Sequence, residues 1–171
     1  MGRALGHRLN WLFEDLDDRV ERQEGRSVAE IFRDFGETQF RRAEGAALKQ
    51  VLEELHGGVR KIVALGGGAF VTEGNAALLD AARIPVVFLD APVEELWRRC
   101  TEEADSDSRE RPLLQTLEQF RALYRSRRKG YMRAPVKVET GGRSVEAIAS
   151  DIAEKLGLKK IEMRTELGEV E

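Results

Sequence analysis

The chain has 171 residues, 42% of them hydrophobic and 35% charged, with a formal net charge of -3. That is one-domain size with material for a core; it argues against disorder over most of the length and gives no general reason to expect a nucleic-acid partner. The single Cys100 excludes an intramolecular disulfide and a Cys-rich metal site, no apolar run approaches the roughly 18 residues that span a bilayer, and no signal-peptide core opens the chain, so a cytoplasmic protein is expected.

In chain order, Gly2 to Asn10 has helical spacing, with Ala4, Leu5 and Leu9 on one side. Trp11 to Leu16 reads as a strand running into the acidic cluster Asp15, Asp17 and Asp18. Asp17 or Asp18 is placed to cap the next helix and Gly25 to end it. Ser27-Val-Ala-Glu30 fits a capping box, which predicts a short helix to about Phe35 that Gly36 stops. A longer helix then carries Phe40, Ala47, Leu48, Val51, Leu52 and Leu55 at spacings of three and four until Gly57-Gly58.

Lys61 to Leu65 reads as a strand of a parallel sheet covered on both faces, and it breaks into Gly66-Gly67-Gly68. Those glycines would lie beyond the carboxyl end of the strand, where ligands of open α/β sheets bind. Glycine lets the backbone turn sharply and lets its N–H groups approach a ligand closely, although such turns are also ordinary punctuation. Asn75 is placed to cap a helix through Ala82, Ile84-Pro85 turns into a strand over Val86 to Leu89, and Pro92 opens a helix over roughly Val93 to Glu103. Ala104 to Leu114 is polar and aperiodic and reads as a mobile loop. A helix over about Leu117 to Met132, a strand over Val136 to Glu139, a helix over about Val145 to Leu156 and a mostly charged tail complete the chain. This alternation predicts an α/β fold, a three-layer parallel sheet with helices on both faces, in one domain over residues 1–157 followed by a tail over 158–171.

Asp15-Leu-Asp17, Phe40-Arg41, Gly66-Gly-Gly68 and Arg111-Pro-Leu-Leu114, with Arg127 four residues before Tyr131, stand in an order and at distances that resemble the shikimate kinase family of the P-loop kinase class. The resemblance runs from Met1 to about Leu156. It implies the sheet order 2-3-1-4-5 and transfer of the γ-phosphoryl of ATP to the 3-hydroxyl of shikimate, a step toward chorismate and the aromatic amino acids. By that resemblance Asp17 bonds the shikimate hydroxyls and orients or deprotonates the attacking one, while Asp15 holds Mg²⁺ largely through water. The chemistry suits them: a carboxylate beside a hydroxyl can accept its proton, and hard oxygens suit Mg²⁺. Arg41 and Arg127 are implied to grip the substrate carboxylate with their planar guanidinium forks, and Gly66, Gly67 and Gly68 to bring backbone N–H groups to shikimate. Arg111 matches a lid arginine that closes over ATP and offsets charge on the transferred group, with 104–110 as the lid. ATP and Mg²⁺ are the implied cofactors, shikimate the small-molecule partner, and a monomer without nucleic-acid or membrane partners the implied state. Without the resemblance, the aspartates read as a strand end and helix cap, Arg41 as a solvated helix residue like Arg42, Arg127 as part of a wet basic run, and Arg111 as a loop arginine. His7, His56, Trp97 and Cys100 have no partners at metal-ligand or triad spacing.

One family element has no match: Gly-x-x-x-x-Gly-Lys-[Ser/Thr], whose donors, lysine and hydroxyl cradle phosphates and Mg²⁺, occurs nowhere in the chain. In the family that loop runs into a helix resembling Gly2-Arg3-Ala4-Leu5, so the sequence is expected to start just past the loop and to lack the central first strand. Unpaired backbone groups cost about 1 to 3 kcal/mol each when buried, against a usual domain stability of roughly 5 to 15 kcal/mol. A chain so built is expected to fold poorly or rearrange and to show no measurable ATP-dependent phosphorylation of shikimate by itself. Three explanations stand open: a true start upstream; a catalytically inactive relative that binds shikimate-like carboxylates as a module or regulator; or a strand supplied by a partner or separate segment.

Overall fold

A computed structural model describes residues 1–107 and 116–161, with the backbone alone over 103–107. Chain order is α1 (Gly2–Leu9), β1 (Leu12–Asp15), α2 (Leu16–Glu24), α3 (Val28–His56), β2 (Lys61–Ala64), α4 (Glu73–Ala82), β3 (Val87–Asp90), α5 (Val93–Asp107), α6 (Leu117–Tyr131), β4 (Val136–Glu139) and α7 (Val145–Lys155). β1 pairs with β2 in parallel, Leu12 opposite Lys61 and Asp15 opposite Ala64. β3 pairs with β4 in parallel, Val87 opposite Val136 and Asp90 opposite Glu139. Parallel neighbours need long crossovers, which α2 with α3 supplies to the first pair and α5 with α6 to the second.

The period-2 alternation of the strands sorts two hydrophobic layers. Val63 and Leu65 beside β2, and Phe88 of β3, pack with Leu16, Val20, Leu48 and Val51 of α2 and α3. Ile62, Val87 and Leu89 point the other way, toward Leu5 and Leu9 of α1 and Ile148 and Ile152 of α7. Helices thus cover both faces of one strand layer, as the alternation predicts. The described strands form two separate two-stranded sheets, β1-β2 and β3-β4. A cavity of about 1340 Å³ is lined by Ile62, Val63 and Ala64 of β2 and Val87, Phe88 and Leu89 of β3. That is the position the order 2-3-1-4-5 gives to its central strand. The two sheets do not pair across it, so β2, expected to be covered, is only half-buried along its whole length.

Local signals decide most boundaries. Ser27 and Glu30 form the capping box, Gly25 ends α2 in the left-handed region at φ 65°, and Gly36 breaks α3 at φ 78°, ψ 174°. Three expectations are corrected. Asp15, not Asp17 or Asp18, caps α2: it is the last extended residue, and its Oδ1 accepts from the Asp17 N–H at 2.9 Å. Asn75 does not cap α4 but lies within it, buried, where its amide donates to Glu44 at 3.3 Å, because a fully buried carboxylate requires donors. α5 continues to Asp107, four residues beyond the expected end at Glu103; no Gly or Pro interrupts it, and Arg98 pairs with Glu102 one turn on. The rest of the expected loop, including Arg111-Pro-Leu-Leu114, and the tail from 162 lie outside the described residues.

Candidate active site

The site is built on the turn Gly66-Gly67-Gly68 at the carboxyl end of β2. None of the three has a left-handed φ, so what glycine gives here is close approach by side-chain ends and not a backbone angle. A Cβ on Gly66 would lie 3.0 Å from Asp17 Oδ1 and 3.2 Å from its Oδ2. One on Gly67 would lie 3.3 Å from Tyr131 Oη and 3.4 Å from Arg127 Nη1, and one on Gly68 would run into the Arg41 guanidinium. Each glycine therefore faces a different polar side chain, and the bare backbone forms one wall of a space enclosed by Asp17 of α2, Arg41 of α3 and Arg127 of α6. All of these residues line the large cavity.

Asp17 stands in the first turn of α2, and its Oδ1 is buried without a hydrogen-bond partner. Burial, then the nearby negative charges of Asp15 and Glu44, push its carboxyl up to about 6 against a weaker opposing pull from Arg41. A carboxylate raised toward neutrality in a cavity is suited to accepting a proton. Arg41 is fixed from behind. Its Nη1 donates to both oxygens of Glu44 at 2.9 and 3.0 Å, its Nε and Nη2 to Glu37 at 3.2 and 3.1 Å, and its guanidinium lies 5.0 Å from the Phe40 ring centroid. Burial pushes the Glu44 carboxyl up, while Arg41 and Arg127 draw it down.

Sequence reasoning passes over Glu44. The available signal is a charge on the apolar stripe of α3, between Phe40 and Ala47 and three residues after Arg41, where a carboxylate has to be paired. Tyr131, in the sequence only a spacing marker, donates to the Gly67 carbonyl at 2.5 Å. Asp15 stays at the β1 end with its side chain on the α2 N-terminus. Among the described residues no group of three or more His, Cys, Asp or Glu gathers to hold a metal. No described helix is long and apolar enough to cross a membrane.

The sequence profile of the family described as shikimate kinase matches residues 1–157. A shikimate kinase of Thermus thermophilus is 41% identical over 160 residues, which cover 91% of this chain and 82% of the relative. That of Geobacter metallireducens is 39% identical over 155 residues, 89% of this chain and 81% of the relative. Among solved structures, the shikimate kinase of Acinetobacter baumannii in complex with shikimate superposes with a TM-score of 0.77 at 30% identity, over 94% of this chain and 87% of that one. A parallel strand layer between helices that superposes on solved shikimate kinases over most of its length is the fold of the P-loop kinase class. The chain belongs to the shikimate kinase family.

Proposed function

We propose that this chain carries the shikimate-binding half of a kinase that moves the γ-phosphoryl of ATP to the 3-hydroxyl of shikimate. The convergence of Asp17, Arg127 and Arg41 on Gly66, Gly67 and Gly68 carries the reading, supported by the shikimate-bound neighbour. The two guanidinium groups take the substrate carboxylate, and the N–H groups of the glycine turn take oxygens of the ring. Asp17 then meets the opposite side of the substrate, where its ionised carboxylate orients the attacking hydroxyl and accepts its proton. Arg111 is the residue that would close over ATP and offset charge on the transferred group.

Mg²⁺ fits the donor set. Asp15 and Asp17 offer hard oxygens side by side, one of them the buried and orphaned Asp17 Oδ1, and an ion that keeps most of its water needs few protein ligands. When bound, it would neutralise charge on the nucleotide phosphates. For those phosphates themselves these 171 residues supply no Gly-x-x-x-x-Gly-Lys-[Ser/Thr], so no step is routed through a phosphate cradle.

Calorimetric titration of shikimate into the chain tests the substrate half: binding is expected, and none at millimolar shikimate would overturn it. Coupled ADP release tests the reaction, assayed on the chain alone and on the chain preceded by a strand and phosphate loop. Turnover by the extended chain is the expected result. Binding without turnover in the extended chain would favour the alternative, a carboxylate-binding module or regulator.

A further inference from the structure

The substrate grip is assembled from two parts of the molecule. Asp17 and Arg41 stand on α2 and α3, the crossover of the β1-β2 sheet, whereas Arg127 stands on α6, in the crossover of the β3-β4 sheet. One side chain spans from one part to the other. Tyr131, a helical turn after Arg127, lays its ring against Phe88 of β3 with centroids 5.3 Å apart. Its hydroxyl reaches back to the Gly67 carbonyl at the exit of β2. Tyr124, 6.4 Å from Tyr131 between ring centroids, is itself held by Asp90 at 2.7 Å, so the aromatic body is fixed to β3 while the polar tip holds the turn after β2. Tyr131 Oη and Arg127 Nη1 face the same glycine, side by side. Burial pushes the phenol up, which keeps the hydroxyl a donor.

We propose that Tyr131 is a positioning residue whose hydroxyl, by holding the Gly67 carbonyl, sets the distance from the glycine turn to Arg127 and so the fit of the grip to a carboxylate. This rests on the shikimate reading of the site. The hydroxyl is not what docks α6. Gly130 packs so closely on Val71 that a Cβ there would lie 2.6 Å from Val71 Cγ1, and Ala134 is buried in the core. Removing one oxygen therefore leaves the helix seated and frees only the peptide that Gly67 presents.

The test is calorimetric titration of the 171-residue chain and its Tyr131→Phe, Arg127→Ala and double variants with shikimate and with its methyl ester. Tyr131→Phe is expected to weaken shikimate about tenfold, the scale of one hydrogen bond to a charged grip, with the melting temperature within about 2 °C of the parent. In the Arg127→Ala background, and toward the uncharged ester, the same change is expected to cost less than about twofold, because Tyr131 acts through the carboxylate contact. Unchanged shikimate affinity, equal losses for acid and ester, or full additivity with Arg127→Ala would each overturn the proposal. A parent chain that binds no shikimate removes the reading of the site and this inference with it; a parent that binds, with Tyr131→Phe unaffected, removes this inference alone.

Discussion

Glu14 and Asp17 are three residues apart, yet their surroundings drive them in opposite directions. Glu14, on β1, accepts from Arg19 at 2.8 Å through both oxygens, from Arg22 at 2.7 Å and from Lys61 at 2.8 Å; Glu54 ties Arg19 and Lys61 together from the end of α3. The hydrogen bond from Arg19, assisted by Lys61, holds the Glu14 carboxyl down to about 2. Asp17, one strand end further, has an unpartnered buried oxygen and is pushed up to about 6. The change of element separates them, since Glu14 lies on β1 and Asp17 in the first turn of α2. One carboxylate faces a closed ion network that joins β1, α2, α3 and β2, and the other faces the cavity. The satisfied cluster fixes the strand end, and the unsatisfied group faces the cavity, the arrangement that the role proposed for Asp17 calls for.

The contrast breaks most visibly at Asp17. Asp17→Asn keeps the shape and removes the base, so turnover in the chain extended with a phosphate loop is expected to fall about 10² to 10⁴-fold. Stability moves the other way. A carboxyl raised from 3.8 to about 6 favours the folded state only while protonated, so its contribution is present below pH 3.8 and lost as pH rises through about 6. Two units correspond to about 3 kcal/mol, so Asp17→Asn is expected to be more stable than the parent at pH 8 by up to that amount in urea unfolding. A variant that is inactive and also less stable at pH 8 would show that Asp17 is a structural carboxylate like Glu14.

The two arginines divide along the same line. Arg41 is held by Glu44, whose side chain is 0% exposed, so Arg41→Ala leaves a buried carboxylate with Asn75 and costs about 3 kcal/mol of stability in addition to affinity. Arg127→Ala leaves Glu44 still bonded to Arg41 and Asn75, and is expected to weaken shikimate about 30- to 100-fold with a stability change below about 1 kcal/mol. Paired titration and urea melts check both. Equal destabilisation by the two changes would mean that Arg127 belongs to the framework.

Rules of short range are the legible ones. Ser27 with Glu30, Gly25 and Gly36 each act within a single helical turn, and the sequence places them where the structure does. The cap of α2 is misassigned from sequence because three aspartates in four positions satisfy the same rule; only the extended backbone of Asp15 distinguishes it. Glu44 and Asn75 are invisible as partners because they meet across 31 residues and two helices. The meeting of Asp17, Arg41 and Arg127 on the glycine turn is available only through family resemblance, since spacing says nothing about which residues two crossovers bring together. The split strand layer follows from that same resemblance, because no local pattern in Lys61–Ala64 or Val87–Asp90 reveals that, among the described residues, each pairs on one side only.

The ion network gives the smallest of these effects and the clearest sign. Glu14 has its carboxyl held below the usual value of 4.5, so its contribution is present above that pH and lost as pH falls through about 2. Glu14→Gln keeps hydrogen-bond capacity and leaves Glu54 with Arg19 and Lys61, so the loss is limited to about 1 to 2 kcal/mol at pH 7. The difference between parent and Glu14→Gln should therefore shrink toward zero as unfolding is measured down to pH 2. The difference between parent and Asp17→Asn should instead open above pH 4, with the opposite sign. Two carboxylates three residues apart would then titrate stability in separate windows. If both differences followed one window, the wall between network and cavity would not insulate them, and the raised carboxyl of Asp17 would have to be assigned to the helix end it starts and not to the site it faces.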